Sequence, residues 1–264
     1  MMRNKYVLPI LNLIAFIGTI VVNALANALP INGVTTGGLS DKYPNLFVPS
    51  GITFSIWGVI YVLLGIFVVY QFTASRGRSS TPLFVQQIGL WFVVSCLANI
   101  GWIFAWHYEI IPLSLLLMLL LLASLIKAYL RLGVGEATDS QDERYLVHLP
   151  FSVYLGWITV ATIANVTTLL VSIGWDGFGV AEQWWAVAVI GAAIFIAILV
   201  LATRRDIFFA LVVDWALFGI VLKRYAASDP ASQPVLIGAL VGMLIVTLGV
   251  VALVLKKRVY GPPA

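Results

Sequence analysis

Residues 184–203 read WWAVAVIGAAIFIAILVLAT, a stretch with no charged side chain. Wound as an α-helix at about 1.5 Å per residue, it has the length needed to cross a hydrocarbon core of about 30 Å. Similar runs lie at about 7–29, 51–73, 84–106, 111–131, 148–172, 206–222 and 235–255. The 264 residues are 61% hydrophobic and 10% charged, whereas soluble domains carry about a quarter of their residues as charges. The fold class is therefore an all-α polytopic membrane protein. Eight spans are read, with seven as the alternative. The segment at 206–222 is short and carries Asp206 and Asp214, so a re-entrant or protein-shielded segment is the competing reading there.

The net charge of +4 sits in short clusters between the apolar runs, which is a topology signal rather than a nucleic-acid surface. With the N-terminus cytoplasmic, Arg3, Lys5, Arg76, Arg78, Lys127, Arg131, Arg144, Arg204, Arg205, Lys256, Lys257 and Arg258 fall inside. Only Lys42, Lys223 and Arg224 fall outside, as the positive-inside rule expects of a prokaryotic plasma membrane. The first apolar run ends in Ala26-Asn27-Ala28, which resembles a signal-peptidase site. The run is long for a signal peptide and contains Asn12 and Asn23, so residues 1–28 are expected to stay as a packed helix. Cys96 is the one cysteine, which excludes an intrachain disulfide and any Cys-based metal motif.

Two connections are long. Residues 30–50, rich in Gly, Pro and Thr, have the composition of a folded loop over the outer ends of the helices. Residues 132–147, with Glu136, Asp139, Asp142, Glu143 and Arg144, read as a solvated inner loop. Counted along the helices, Trp57, Asn99, Trp102 and Asn165 share one depth under the outer loop, Asn23 joins them, and Tyr61 lies one turn deeper. A carboxamide in hydrocarbon needs a hydrogen-bond partner, so this layer is either interhelical glue or the lining of a cavity.

The same residues carry a resemblance to the TspO/MBR family, the tryptophan-rich sensory proteins related to the translocator protein. Residues Tyr154-Leu155-Gly156-Trp157-Ile158-Thr159-Val160-Ala161-Thr162-Ile163-Ala164-Asn165 resemble the pattern of that family's last helix. Phe54, Trp57, Tyr61 and Gly65 resemble its second helix, and Asn99-Ile100-Gly101-Trp102 its third. The likeness covers about residues 7–172, so it implies a five-helix membrane domain at 1–172 followed by additional transmembrane helices at 173–264. It also implies an intrabundle pocket for a flat hydrophobic ligand of the tetrapyrrole or porphyrin class, with no cofactor required. Carried over by position, Trp57 and Tyr61 would flank the ligand, Asn99 and Asn165 give polar contacts, Trp102 and Trp157 form walls, and Ala161 the floor. Related five-helix proteins form homodimers, which makes a homodimer a candidate assembly.

Three functions compete. A receptor or sensor needs only the pocket, and it is the reading preferred. A secondary transporter would use Asp214 as a proton-coupling residue, because an ionisable group at mid-membrane costs roughly 2.5 to 3.5 kcal/mol even on translocon scales. An enzyme degrading porphyrins in light is the weakest reading: His107 and His148 lie near span ends without an acidic partner at triad or metal spacing, although Glu109 is near His107. The spacing Gly238…Gly242 allows close helix contact, for which packing within the chain is the simplest use.

Overall fold

The computed structural model describes residues 5–136, 140–227 and 229–256. Arg3, Asp139, Lys257 and Arg258 lie outside the described residues. Among the described residues the regular structure is helical, with no strand. Eight long helices follow one another: α1 (Val7–Ala28), α2 (Ile56–Ser75), α3 (Trp91–His107), α4 (Ile111–Arg131), α5 (Leu149–Ser172), α6 (Glu182–Arg204), α7 (Ile207–Ala227) and α8 (Ser232–Leu255). Among the described residues six stretches are long and apolar enough to cross a membrane, namely Val7–Ala28, Gly51–Ser75, Ile111–Arg131, Gln141–Ser172, Glu182–Arg204 and Ser232–Leu255.

Three boundaries differ from the sequence reading. The expected third span at 84–106 is broken into a short helix, Leu83–Ile88, and α3. The break is Gly89, at φ 55° and ψ −126°, a conformation that a Cβ disfavours. Hydropathy continues across it, so the apolar pattern hid it. The inner loop is helical from Gln141: Ser140 caps the turn by accepting the Glu143 N–H at 3.2 Å, and a π-turn at Arg144–His148 runs into α5. Ser140 with Glu143 has the spacing of a capping box. The seventh segment is one unbroken helix of 21 residues, α7, about 31 Å long. Asp206 belongs to its cap, accepting the Phe208 and Phe209 N–H groups at 3.0 and 3.2 Å.

The described residues form two compact units. The first comprises residues 5–36, 57–134 and 140–155. Within it α3 packs against α1 and α4. Edge-to-face rings of Phe67, Phe92 and Phe151 form its apolar centre, at centroid distances of 5.0 to 5.9 Å. Asn12 of α1 donates to Gln71 of α2 at 2.7 Å.

The second unit comprises residues 37–56, 135–136, 156–227 and 229–256. Here α6, α7 and α8 pack pairwise into a three-helix group. Gly242 sits where an added Cβ would crowd Ile194 of α6 and Leu217 of α7, so the small-residue spacing of α8 serves contact within the chain. On the other side of α7, Ser50 N–H donates to the Gly219 carbonyl at 3.0 Å, and Trp215 Nε1 donates to the Thr53 carbonyl at 2.9 Å. Residues 49–55 are thereby pinned along α7.

Candidate functional site

In the first unit the polar and aromatic layer assembles from four helices. Trp57 and Tyr61 lie one turn apart on α2, on the same face, and stack with centroids 5.6 Å apart. Trp57 stacks on Trp102 of α3 at 6.2 Å, and Trp102 on Trp106, one turn nearer the loop, at 6.0 Å. Tyr154, in the first turns of α5, meets Trp57 edge-on at 6.2 Å. The result is a column of rings running from Tyr61 to Trp106.

A hydrogen-bonded chain runs beside the column. Asn23 Nδ2 donates to Asn99 Oδ1 at 2.7 Å, and Asn99 Nδ2 donates to the Tyr154 hydroxyl at 3.3 Å. Asn99 is fully buried. Two donors in the column end differently. The Trp102 indole N–H and the Tyr61 hydroxyl are buried with no acceptor among the described residues. Natural structures leave few such groups, because each costs about 1–3 kcal/mol.

The loop end of the column is closed by residues 31–36. His107, only 1% exposed, contacts the Ile31 carbonyl through Nδ1 at 2.9 Å and the Thr36 hydroxyl through Nε2 at 3.0 Å. Asn32 Nδ2 donates to the His107 carbonyl at 3.0 Å, and Trp106 Nε1 to the Thr36 carbonyl at 3.2 Å. The sequence reading placed His107 and His148 near span ends; both are buried, and His107 is a latch for the loop. His107→Ala removes both ring contacts. It is expected to expose residues 30–36 to limited proteolysis at a protease concentration that leaves the parent uncut, with a loss of stability of about 1–3 kcal/mol. Identical digestion of the two proteins would show that the latch is dispensable.

Three expected site residues belong to the second unit. Trp157, Ala161 and Asn165 lie four residues apart, on one face of α5. Trp157 meets Phe54 edge-on at 5.9 Å; Asn165 is buried and Ala161 half-buried. Asp214, in the third turn of α7, accepts from Thr247 of α8 through Oδ2 at 2.7 Å, and its Oδ1 is buried with no donor among the described residues. Among the described residues no three His, Cys, Asp or Glu side chains come together in a way that could hold a metal ion. The sequence reading did not assign Tyr154 and Trp106 to the layer. Tyr154 opens the fifth-span motif three residues before Trp157, which was the signal available for it.

These helices define a multi-pass α-helical membrane protein. A family model described as TSPO-like protein matches residues 9–252, and the chain belongs to that family. The match continues through α6 and α7 and into α8. Such a family points to a function of membrane receptor or sensor type. No curated protein and no solved structure matches the chain.

Proposed function

We propose that the protein is a membrane receptor or sensor that binds a flat hydrophobic ligand, of the tetrapyrrole or porphyrin class, against the aromatic column of the first unit. One observation carries this reading: the Trp102 N–H and the Tyr61 hydroxyl, buried in a wall of rings, have no acceptor among the described residues. A ligand with an aromatic face and polar edges suits both features, the face by stacking and the edges by accepting. Asn99 holds the wall in register through Asn23 and Tyr154. The clustering of Lys and Arg on one side of the spans supports a prokaryotic plasma membrane with the N-terminus cytoplasmic as part of this reading. The reading requires no cofactor and no catalysis.

The test is a tryptophan-fluorescence titration of detergent-purified protein with protoporphyrin IX. Saturable micromolar binding is expected. Tyr61→Phe, which keeps the ring and deletes the donor, and Trp102→Phe, which leaves a smaller aromatic ring without a donor, are each expected to weaken it by about tenfold, or about 1.4 kcal/mol. Asn99→Leu is expected to weaken it further, while Thr203→Ala, an exposed position on α6, leaves it unchanged. Ala161→Phe and Asn165→Leu are separate arms that report whether the carried-over α5 residues take part. Equal binding by every variant would sink the reading.

A second reading, a secondary transporter coupled to protons through Asp214, is favoured by that residue's place inside α7, two turns from its start, with one oxygen lacking a donor among the described residues. It predicts uptake into vesicles driven by a pH gradient.

A further inference from the structure

The second unit contains a place for a head group that neither reading uses. Arg224, near the end of α7, is 7% exposed. Among the described residues its Nε is buried without an acceptor, and its side chain makes a 3.5 Å approach of Nη1 to the Ser232 hydroxyl, at the limit of a hydrogen bond. Among the described residues no carboxylate lies within ion-pair distance of it. The nearby acids are engaged elsewhere: Asp41 with Lys223 at 2.8 Å, Glu182 Oε1 with the Leu46 N–H at 3.0 Å, and Asp229 with the hydroxyl and amide of Ser232 at 2.7 and 2.8 Å. Those two bonds, the hydroxyl's foremost, hold the Asp229 carboxyl below the usual carboxylate range. A buried guanidinium so poorly satisfied is costly, and a phosphate or carboxylate is the group whose geometry fits its fork.

Arg224 lines a cavity of about 340 Å³ together with Lys223, Ser40, Asp41 and Glu182. A second cavity, of about 210 Å³, shares Asn45, Leu46 and Glu182 with the first and so adjoins it. Its other walls are mostly apolar: Phe47, Leu170 and Val171 from the end of α5, and Trp175, Trp185 and Val189 around the start of α6. The partition is stiff, because Asn45 Oδ1 accepts the Phe47 and Val48 N–H groups at 3.1 and 3.0 Å. A polar chamber holding a guanidinium thus lies beside an apolar one, at the ends of two helices long and apolar enough to span a membrane.

We propose that these paired cavities bind one amphiphile with a zwitterionic head group, a phosphate or carboxylate on Arg224 with its acyl body along Trp175 and Trp185. The zwitterion follows from the charges that face the chamber. Lys223 and Arg224 are opposed by Asp41 and Glu182, with Asp229 close to Arg224. A head group with net negative charge meets two carboxylates, a neutral one leaves the guanidinium unsatisfied, and a phosphate joined to an ammonium satisfies both signs.

The experiment uses delipidated, detergent-purified full-length protein. Phosphatidylethanolamine, phosphatidylglycerol and diacylglycerol of matched chains are added, and native mass spectrometry and thermal melting are read. A retained phosphatidylethanolamine adduct is expected, with a rise in melting temperature and binding at least about tenfold tighter than that of the other two lipids. Arg224→Gln is expected to lose that preference, and Val189→Phe, which fills the apolar chamber from its far side, to lose the adduct. Both variants should keep the melting temperature of the lipid-free parent. If Arg224→Gln fails to fold, the Val189→Phe arm alone decides the outcome. Lysophosphatidylethanolamine supplied from water distinguishes a soluble amphiphile from a bilayer lipid; adducts from either source support the site. Equal retention of the three lipids, preference for the anionic lipid, or adducts unchanged in Val189→Phe would overturn the proposal.

Discussion

Gly219→Ala, a change of one methyl group, is expected to destabilise the second unit by about 3 kcal/mol, and Gly219→Val by more. A Cβ at position 219 would run into the Thr53 hydroxyl and lie 2.9 Å from the Pro49 Cβ, and both neighbours belong to a segment pinned to α7. Moving that segment away breaks the Ser50 N–H bond to the Gly219 carbonyl and the Trp215 indole bond to the Thr53 carbonyl. Thr53 is 1% exposed, so water cannot replace what is lost. The overpacking contributes about 1–3 kcal/mol and each stranded polar group about as much. Gly191→Ala on α6 is the internal control. Nothing lies within 4 Å of its Cβ position, so it should gain about 0.5–1 kcal/mol from helix propensity alone. Thermal unfolding in one detergent reads both. Equal melting temperatures for Gly219→Ala and the parent would mean that α7 and residues 49–55 are packed less closely than described.

How much of this was legible in the sequence varied with the range of the interactions. Trp57, Tyr61, Asn99 and Trp102 stand out because polar and aromatic side chains at one depth in apolar runs are expensive unless they meet, and in the first unit they do meet. The break at Gly89 was not legible, since the hydropathy of 84–106 is continuous and only the backbone at one glycine interrupts the helix. The helical turn at Gln141 was misread from its charges, although Ser140 and Glu143 already held the cap spacing. Arg224 counted in the sequence only toward topology. The cavity it lines is shared with Ser40, Asn45 and Glu182, all distant along the chain, and no local pattern reports that. The latch at His107 is of the same kind, because its partners Ile31 and Thr36 lie more than seventy positions away.

Asp214 and Thr247 should behave as a strongly coupled pair. Thr247→Val removes the donor 2.7 Å from Asp214 Oδ2 and leaves neither carboxyl oxygen with its present donor, Oδ1 being buried, for a loss of about 1–3 kcal/mol or more if the carboxyl is ionised. Asp214→Leu removes the demanding group instead. The Thr247 hydroxyl can then turn to a carbonyl of its own helix, so the expected change is near zero or a gain. The double variant Asp214→Leu/Thr247→Val should therefore be far more stable than the sum of the single variants predicts, with a coupling of about 1–2 kcal/mol in a thermal double-mutant cycle. The cycle bears on function because it separates the two uses of a carboxyl inside a membrane. A group kept for packing can be replaced by Leu without consequence once its partner is also apolar. A group that carries protons cannot: Asp214→Leu would then abolish gradient-driven uptake in vesicles while the protein melts at or above the parent temperature. Strict additivity in the cycle would remove the physical basis for treating Asp214 and Thr247 as a unit. Stability retained with uptake abolished would move transport ahead of the receptor reading.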